Sequence, residues 1–303
     1  MFYNQIERAV TLPVIHSLDQ LSESLLVQHE NGFVHSVTNA LRSDNLGLAF
    51  ATGYRGALQY LLPELDMQRW AAFCVTERQG NHPRMIATTV NGQGVLTGEK
   101  CYVSLATMHP QLVIVANAGE PNGRPLLKAV LADSFDEKIS IEAMPAIDMI
   151  PEISHGRIVF DNVKGKVLPG DGYDDYSKRF RVIEDSFVLS AFCAHITGVS
   201  LRNNFPSFII QRAISILSSI RTVLADKQEL TSPMMHLQLG DLYSLFNDIV
   251  SDFEASINRL SSEEVGSWHR DKKIFQIAHK ARALRTEKAI QWLANIGVTK
   301  GAV

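Results

Sequence analysis

The chain is 303 residues long, 46% hydrophobic and 20% charged, with a formal net charge of −3. That balance leaves no basic field for nucleic acid or an anionic membrane surface. Its three cysteines, Cys74, Cys101 and Cys193, sit in apolar surroundings with no paired spacing, which fits buried thiols in a reducing, cytoplasmic compartment.

The N-terminal stretch MFYNQIERAVTLP has no basic segment followed by an apolar one, so no signal peptide is expected. Residues 1–70 read as a short N-terminal helical region. LDQLSESLL and LGLAFATGYRGALQYLLPEL carry apolar residues three and four apart, and Pro63 marks a helix boundary. Across 71–172 the period changes from 3.6 to 2. RMIATTV, the Asn91-Gly92 pair and QGVLTG predict a hairpin with a two-residue turn. LVIVANA (112–118), LLKAVLA (126–132) and GRIVFDNV (156–163) read as further strands, which predicts an antiparallel β-domain. From 173 to 303 helical spacing returns as a bundle of three long helices. QELTSPMM (228–235) and LSSEEVGSWHRD (260–271) separate them. FVLSAFCAHITGVSL, from 187, is too short to span a bilayer and reads as a core helix. Ile274, Ile277, Ala281 and Leu284 share one face of the last helix. The fold class is therefore α+β.

Generic motifs add little. No HxH, HExxH or CxxC spacing exists among the histidines and cysteines, so no metal site is expected. GVLTGEK (94–100) lacks the Gly-Lys step of a phosphate loop, and neither GxGxxG nor GxSxG is present.

Motif order says more. FCVTE (73–77), the hairpin, GEKCYVS (98–104), GYRGALQYLLPEL (53–65), FDNVKGKVLPGDG (160–172) and KIFQIAHKARALRTEKAIQWLANIG (273–297) together resemble the acyl-CoA dehydrogenase family. In that family a strand ends in Thr-Glu before a Gly-Ser-Asp turn, and a second motif ends in Trp-Ile-Thr or Trp-Ile-Ser. The resemblance implies FAD as cofactor, because a reduced flavin needs donors along its polar edge. It assigns Phe73, Val75, Thr76, Gly80 and Asn81 from the first motif and Tyr102, Val103 and Ser104 from the second to cofactor binding. Tyr102 replaces the tryptophan; it also reads as a core aromatic, and Thr76 as a strand-end hydroxyl bonded to its own backbone.

Four departures accompany the resemblance. Gly80-Asn81-His82-Pro83 replaces the Gly-Ser-Asp turn, and Pro83 has no N–H. The Arg-x-x-Phe-Gly motif of the bundle is missing, with ADKQELTSP (225–233) in its place. The sequence stops at Val303, before the segment that carries the catalytic glutamate in many members, and the N-terminal helical region is short. Weak FAD binding, or binding only beside a partner chain, is expected. Some members place the base on the first long bundle helix, before an arginine; Glu184 is the candidate here, without that arginine, and it also reads as a solvated helix-terminal acid. The implied activity is α,β-dehydrogenation of an acyl-CoA or similar thioester. The alternatives are a non-catalytic or partner-dependent subunit of a heteromer, and a flavin enzyme that uses oxygen. The apolar bundle is expected to form homo-oligomers or heteromers.

Overall fold

The computed structural model describes residues 2–25 and 31–296. Four helices lead, α1 (Phe2–Val10), α2 (Leu18–Leu25), α3 (Gly32–Arg42) and α4 (Leu46–Leu61). Asn31 and Asn45 cap α3 and α4; their side-chain oxygens accept from Phe33 N and Leu48 N, donors that a helix start leaves open. α4 ends two residues before Pro63, whose ring disfavours helix at the preceding position.

Eight strands follow: β1 (Ala71–Cys74), β2 (Thr89–Val90), β3 (Val95–Ser104), β4 (Gln111–Asn117), β5 (Leu127–Asp133), β6 (Ile139–Ala143), β7 (His155–Lys164) and β8 (Lys166–Val167). They form one sheet in the order β6-β7-β3-β2-β4-β5-β8, with β1 also paired to β4. The sheet is mixed, which corrects the antiparallel expectation. β1 and β2 run parallel to β4, and the remaining pairs are antiparallel. The reason is connectivity: the chain leaves β1, makes the β2–β3 hairpin and returns to β4 in its original direction.

The hairpin is where the Asn-Gly pair placed it, with a longer loop. Thr89 faces Thr97 and Val90 faces Leu96, and the Asn91 side chain accepts from Gln93 N and Val95 N. Gly94, not Gly92, takes the left-handed conformation, with φ +77°. The asparagine side chain organises a turn followed by one left-handed residue, in place of a two-residue turn.

The bundle comprises α5 (Lys178–Arg202), α6 (Ser207–Val223), α7 (Pro233–Glu254), α8 (Ser262–Asp271) and α9 (His279–Asn295). Two expectations are corrected. The polar segment 260–271 is mostly α8 rather than a separator, because Ser261 and Glu264 form a reciprocal cap at its start. The run 273–297 is not one helix. Residues 272–276 form a tighter turn, Ala278 is left-handed with φ 61°, and α9 starts after it. The buried Asp271 carboxylate accepts from Ile150 N at 2.7 Å, which pins the end of α8 to the β-domain and turns the chain there. Ile274 is buried, whereas Ile277 and Leu284 are exposed. Gly297 and the residues beyond lie outside the described ones.

One large core runs from Ile6 to Ile274 and joins the N-terminal helices to the bundle; a smaller one fills the inner face of the sheet. α5 is at the centre of the first. With the turn before it, α5 is long and apolar enough to cross a bilayer, yet 94% of its most apolar window is buried inside the protein. Three of its hydroxyls bond back along the helix, Ser186 to Val182 O, Ser190 to Ser186 O and Thr197 to Cys193 O, each at 2.8 Å. That satisfies polar groups that have no water. The buried Ser200 hydroxyl has no partner among the described residues. A Cβ on Gly198 would overlap the Leu41 carbonyl, so α3 and α5 approach backbone to backbone there. Gly198→Ala is expected to cost about 1–3 kcal/mol, as overpacking does. Thermal unfolding measures it, and an unchanged midpoint would mean that the two helices can separate freely.

Candidate functional site

β1 delivers the chain to Val75 and Thr76, both partly buried, and then to Glu77, which is buried. Glu77 binds three donors: Ala87 N at 2.8 Å, Thr88 N at 3.0 Å and Lys100 Nζ at 2.7 Å. Lys100 has no exposed surface, and its ammonium also reaches Val75 O at 3.4 Å. Burial works against the Glu77 charge, but Lys100 and the two amides outweigh it and hold the carboxyl below its ordinary value. Burial lowers Lys100, with Glu77 opposing. The Glu and Lys of the two motifs thus fasten β1 to β3. Sequence reading had not given this role to either residue.

The following turn is closed on itself. Glu77 N donates to Gly80 O and Gly80 N to Glu77 O, both at 2.9 Å, and Gly80 takes φ +116°. Arg78 pairs with Glu99 at 2.9 Å. Asn81 is exposed; the His82 imidazole accepts from Arg84 N and caps a short turn that starts at Pro83.

A bulge between Lys100 and Val103 displaces β3 against β7. Tyr102 sits there with φ 56° and is 59% exposed, so its ring lies outside the core. Its amide meets only the Met144 sulfur, at 3.4 Å. Val103 is buried in the sheet core. Ser104 is partly buried, faces His155 across the ladder, and is followed by Leu105 at φ 59°. Left-handed conformations cost roughly 1–2 kcal/mol in residues with a Cβ, and strained backbone of this kind gathers at functional sites.

Ser104 opens into a cavity of about 220 Å³ that also takes wall from His155, Glu184, Phe192, Ile274 and Arg282. Glu184 is partly buried on α5 and has no hydrogen-bond partner among the described residues. Burial raises its carboxyl to about 8, and Asp185 adds to the rise; Arg181, Arg282 and Arg285 oppose it. Asp185 is held by Arg282 at 3.2 Å and by Arg285. The Arg282 guanidinium lies 4.1 Å from the Tyr243 ring centre, and the Tyr243 hydroxyl donates to Asp185 O at 3.0 Å.

Two of the residues assigned from sequence, Ser104 and Glu184, therefore meet in one cavity. Val75, Thr76 and Tyr102 lie along the strand ends outside it. Phe73 is in the main core, stacked on Phe180 with ring centres 4.5 Å apart, and its amide donates to the Tyr54 hydroxyl at 2.8 Å. Gly80 and Asn81 lie in the closed turn. His155 and Arg282 carried no sequence signal. Two side-chain donors there are uncommitted among the described residues, the Thr76 and Ser104 hydroxyls, whereas the Tyr102 amide is spent on the Met144 sulfur. Strand-end donors of this kind could hold the polar edge of a flavin ring. In the turn that follows, Pro83 has no N–H to offer a phosphate and the Arg78 Nε is paired with Glu99.

The Glu184 shift predicts a pH dependence. A carboxyl near 4.5 in the unfolded chain and near 8 in the fold stays protonated only when folded across that window. The unfolded state has then lost the proton, so stability falls as pH rises from about 4.5 to about 8, with a limiting slope of about 1.4 kcal/mol per pH unit. Glu184→Gln should remove that component in denaturant titrations across the window. An identical slope in wild type and variant would contradict it.

No protein-family model matches the chain, and no curated protein matches it either. Solved structures do. A FAD-dependent dehydrogenase superposes with a TM-score of 0.65 at 13% identity, over 96% of this chain and 97% of that one. Butyryl-CoA dehydrogenase from Megasphaera elsdenii gives 0.62 at 14% identity, over 91% of each chain. PigA with FAD and proline gives 0.59 at 12% identity, over 97% of this chain and 90% of that one. The fold is acyl-CoA-dehydrogenase-like.

Proposed function

We propose that this chain, built on an acyl-CoA-dehydrogenase-like fold, is a FAD-dependent dehydrogenase that introduces an α,β double bond into a short acyl thioester. The observation that carries the reading is the single cavity shared by the strand-end Ser104 and the proton-holding Glu184. FAD, when bound, would supply the acceptor for the hydrogen leaving the β-carbon. Glu184 takes the α-proton on a carboxylate oxygen, so its ionised form is the active one and grows as pH rises toward 8. Phe50, Ile147, Val188 and Phe192 give the cavity an apolar wall, and its volume of about 220 Å³ suits a short acyl group. The Thr76 and Ser104 hydroxyls would fix the ring by its polar edge.

A specific observation favours a second reading, in which the chain holds FAD weakly or only beside a partner chain. The turn at 77–80 spends the Glu77 and Gly80 amides on itself, and Arg78 is bound to Glu99. α9 exposes Ile290 and Leu293 on one side, with Ile296 just past its end, a surface suited to a second copy or a partner chain in a homo-oligomer or heteromer. Titration of the purified chain with FAD, followed by flavin fluorescence, and then bleaching by butyryl-CoA tests both. Tight binding with bleaching supports the first reading. Binding without bleaching removes the thioester substrate. No binding at micromolar FAD leaves the partner-dependent subunit. Sedimentation tests the assembly: wild type should be larger than a monomer, and Ile290→Glu should shift it toward the monomer.

A further inference from the structure

No arginine directly follows Glu184; Asp185 does, a like charge that works against ionisation. The α9 side of the cavity compensates. Arg282 reaches in from α9, lines the cavity beside Glu184 and donates to Asp185 Oδ1 at 3.2 Å, while Arg285 engages Asp185 Oδ2. Two cations thus face one carboxylate. Arg282 is further fixed by Phe275 O at 2.9 Å and by the Tyr243 ring, so it cannot swing out to solvent without losing three contacts.

We propose that Arg282 is the positioning residue for Glu184: from α9 it neutralises Asp185 together with Arg285 and, with Arg181 on α5, leaves the proposed base facing net positive charge. The inference rests on Glu184 as that base. The charged and titratable groups around Glu184 are Arg181 and Asp185 on α5, Tyr54 on α4, Tyr243 on α7, His155 on β7, and Arg282 and Arg285 on α9. Among them Arg282 alone both lines the cavity and carries a fixed positive charge. When Glu184 is ionised the cluster of Glu184, Asp185, Arg181, Arg282 and Arg285 carries one positive charge. When Glu184 takes a proton it carries two, which favours release of the proton once the ligand has left. α9 is then part of the active site and not only a bundle helix.

The test is a carboxyl titration of the full chain without cofactor or substrate, by difference infrared spectroscopy with Glu184→Gln to identify the band. Arg282→Gln keeps hydrogen-bonding capacity and removes the charge; it should raise the Glu184 midpoint by about one pH unit or more, the size expected for one nearby charge. Arg282→Lys should leave the midpoint within a few tenths of wild type. A folded Arg282→Gln with an unmoved midpoint overturns the proposal. Should that variant fail to fold, Asp185→Asn decides: removal of the anion must lower the midpoint, and no fall overturns the proposal. Because turnover is not read, a chain that shows these shifts but does not bleach with butyryl-CoA would refute the proposed reaction and leave the coupling standing.

Discussion

Lys100→Met lowers the unfolding free energy by about 3–5 kcal/mol, the cost of leaving one member of a buried ion pair without its partner. Lys100 has no exposed surface and Glu77 is 6% exposed, so neither charge can recover water while the fold persists. Glu77 keeps its two amide donors, Ala87 N and Thr88 N, but loses the cation that offsets its burial. The double variant Glu77→Gln with Lys100→Met should cost less than Lys100→Met alone, because it leaves no buried charge. Urea unfolding of the three variants measures this. A loss below about 1 kcal/mol for Lys100→Met, the range of an exposed pair, would show that water reaches the pair. Acid acts in the same direction. The Glu77 carboxyl is held below its ordinary value, so its contribution is present above about 4.5 and is lost as pH falls through the folded value.

Glu184→Gln lowers turnover of a thioester substrate by about 10²–10⁴-fold, the range for loss of a positioned general base. Glutamine preserves the shape of the side chain, so FAD affinity and the melting temperature near pH 5 should stay close to wild type. For the wild type, kcat/KM should climb with pH and level off above about 8, because only the ionised carboxylate accepts a proton. Equal turnover in variant and wild type would place the base elsewhere.

What the sequence disclosed followed from local rules. α4, the core helix α5 and the runs behind β4, β5 and β7 were visible because their apolar spacing matches one period over many residues. Ile158 and Phe160 are buried while Asp161 is exposed, as the alternation required. The break at Ala278 was not visible, since Ile277 and Ala278 carry no turn chemistry, yet Ala278 takes φ 61°. β6 escaped notice because Ile139 and Ile141 are only partly buried on an outer strand of the sheet. For the site, motif order located Ser104 and Glu184. Arg282 and His155 reach the same cavity from distant parts of the chain, and such contacts leave no spacing in a single sequence. The Glu77–Lys100 pair lay inside the quoted motifs, but its structural role emerges only when β1 is laid beside β3.

The single core shared by the first sixty residues and α5 bears on the order in which the chain becomes structured. α3 and α4 each make most of their helix contacts with one another and with α5, which is synthesised more than a hundred residues later. While the β-domain emerges from a ribosome, Val37, Leu41, Leu48 and Leu58 therefore have only the N-terminal helices to pack on and lack the cover of α5. Loop closure over that distance is slow, and exposed apolar faces in the interval invite aggregation. A nascent chain halted near residue 172 should be protease-sensitive through 32–61, and protection should appear only when α5 has left the exit tunnel.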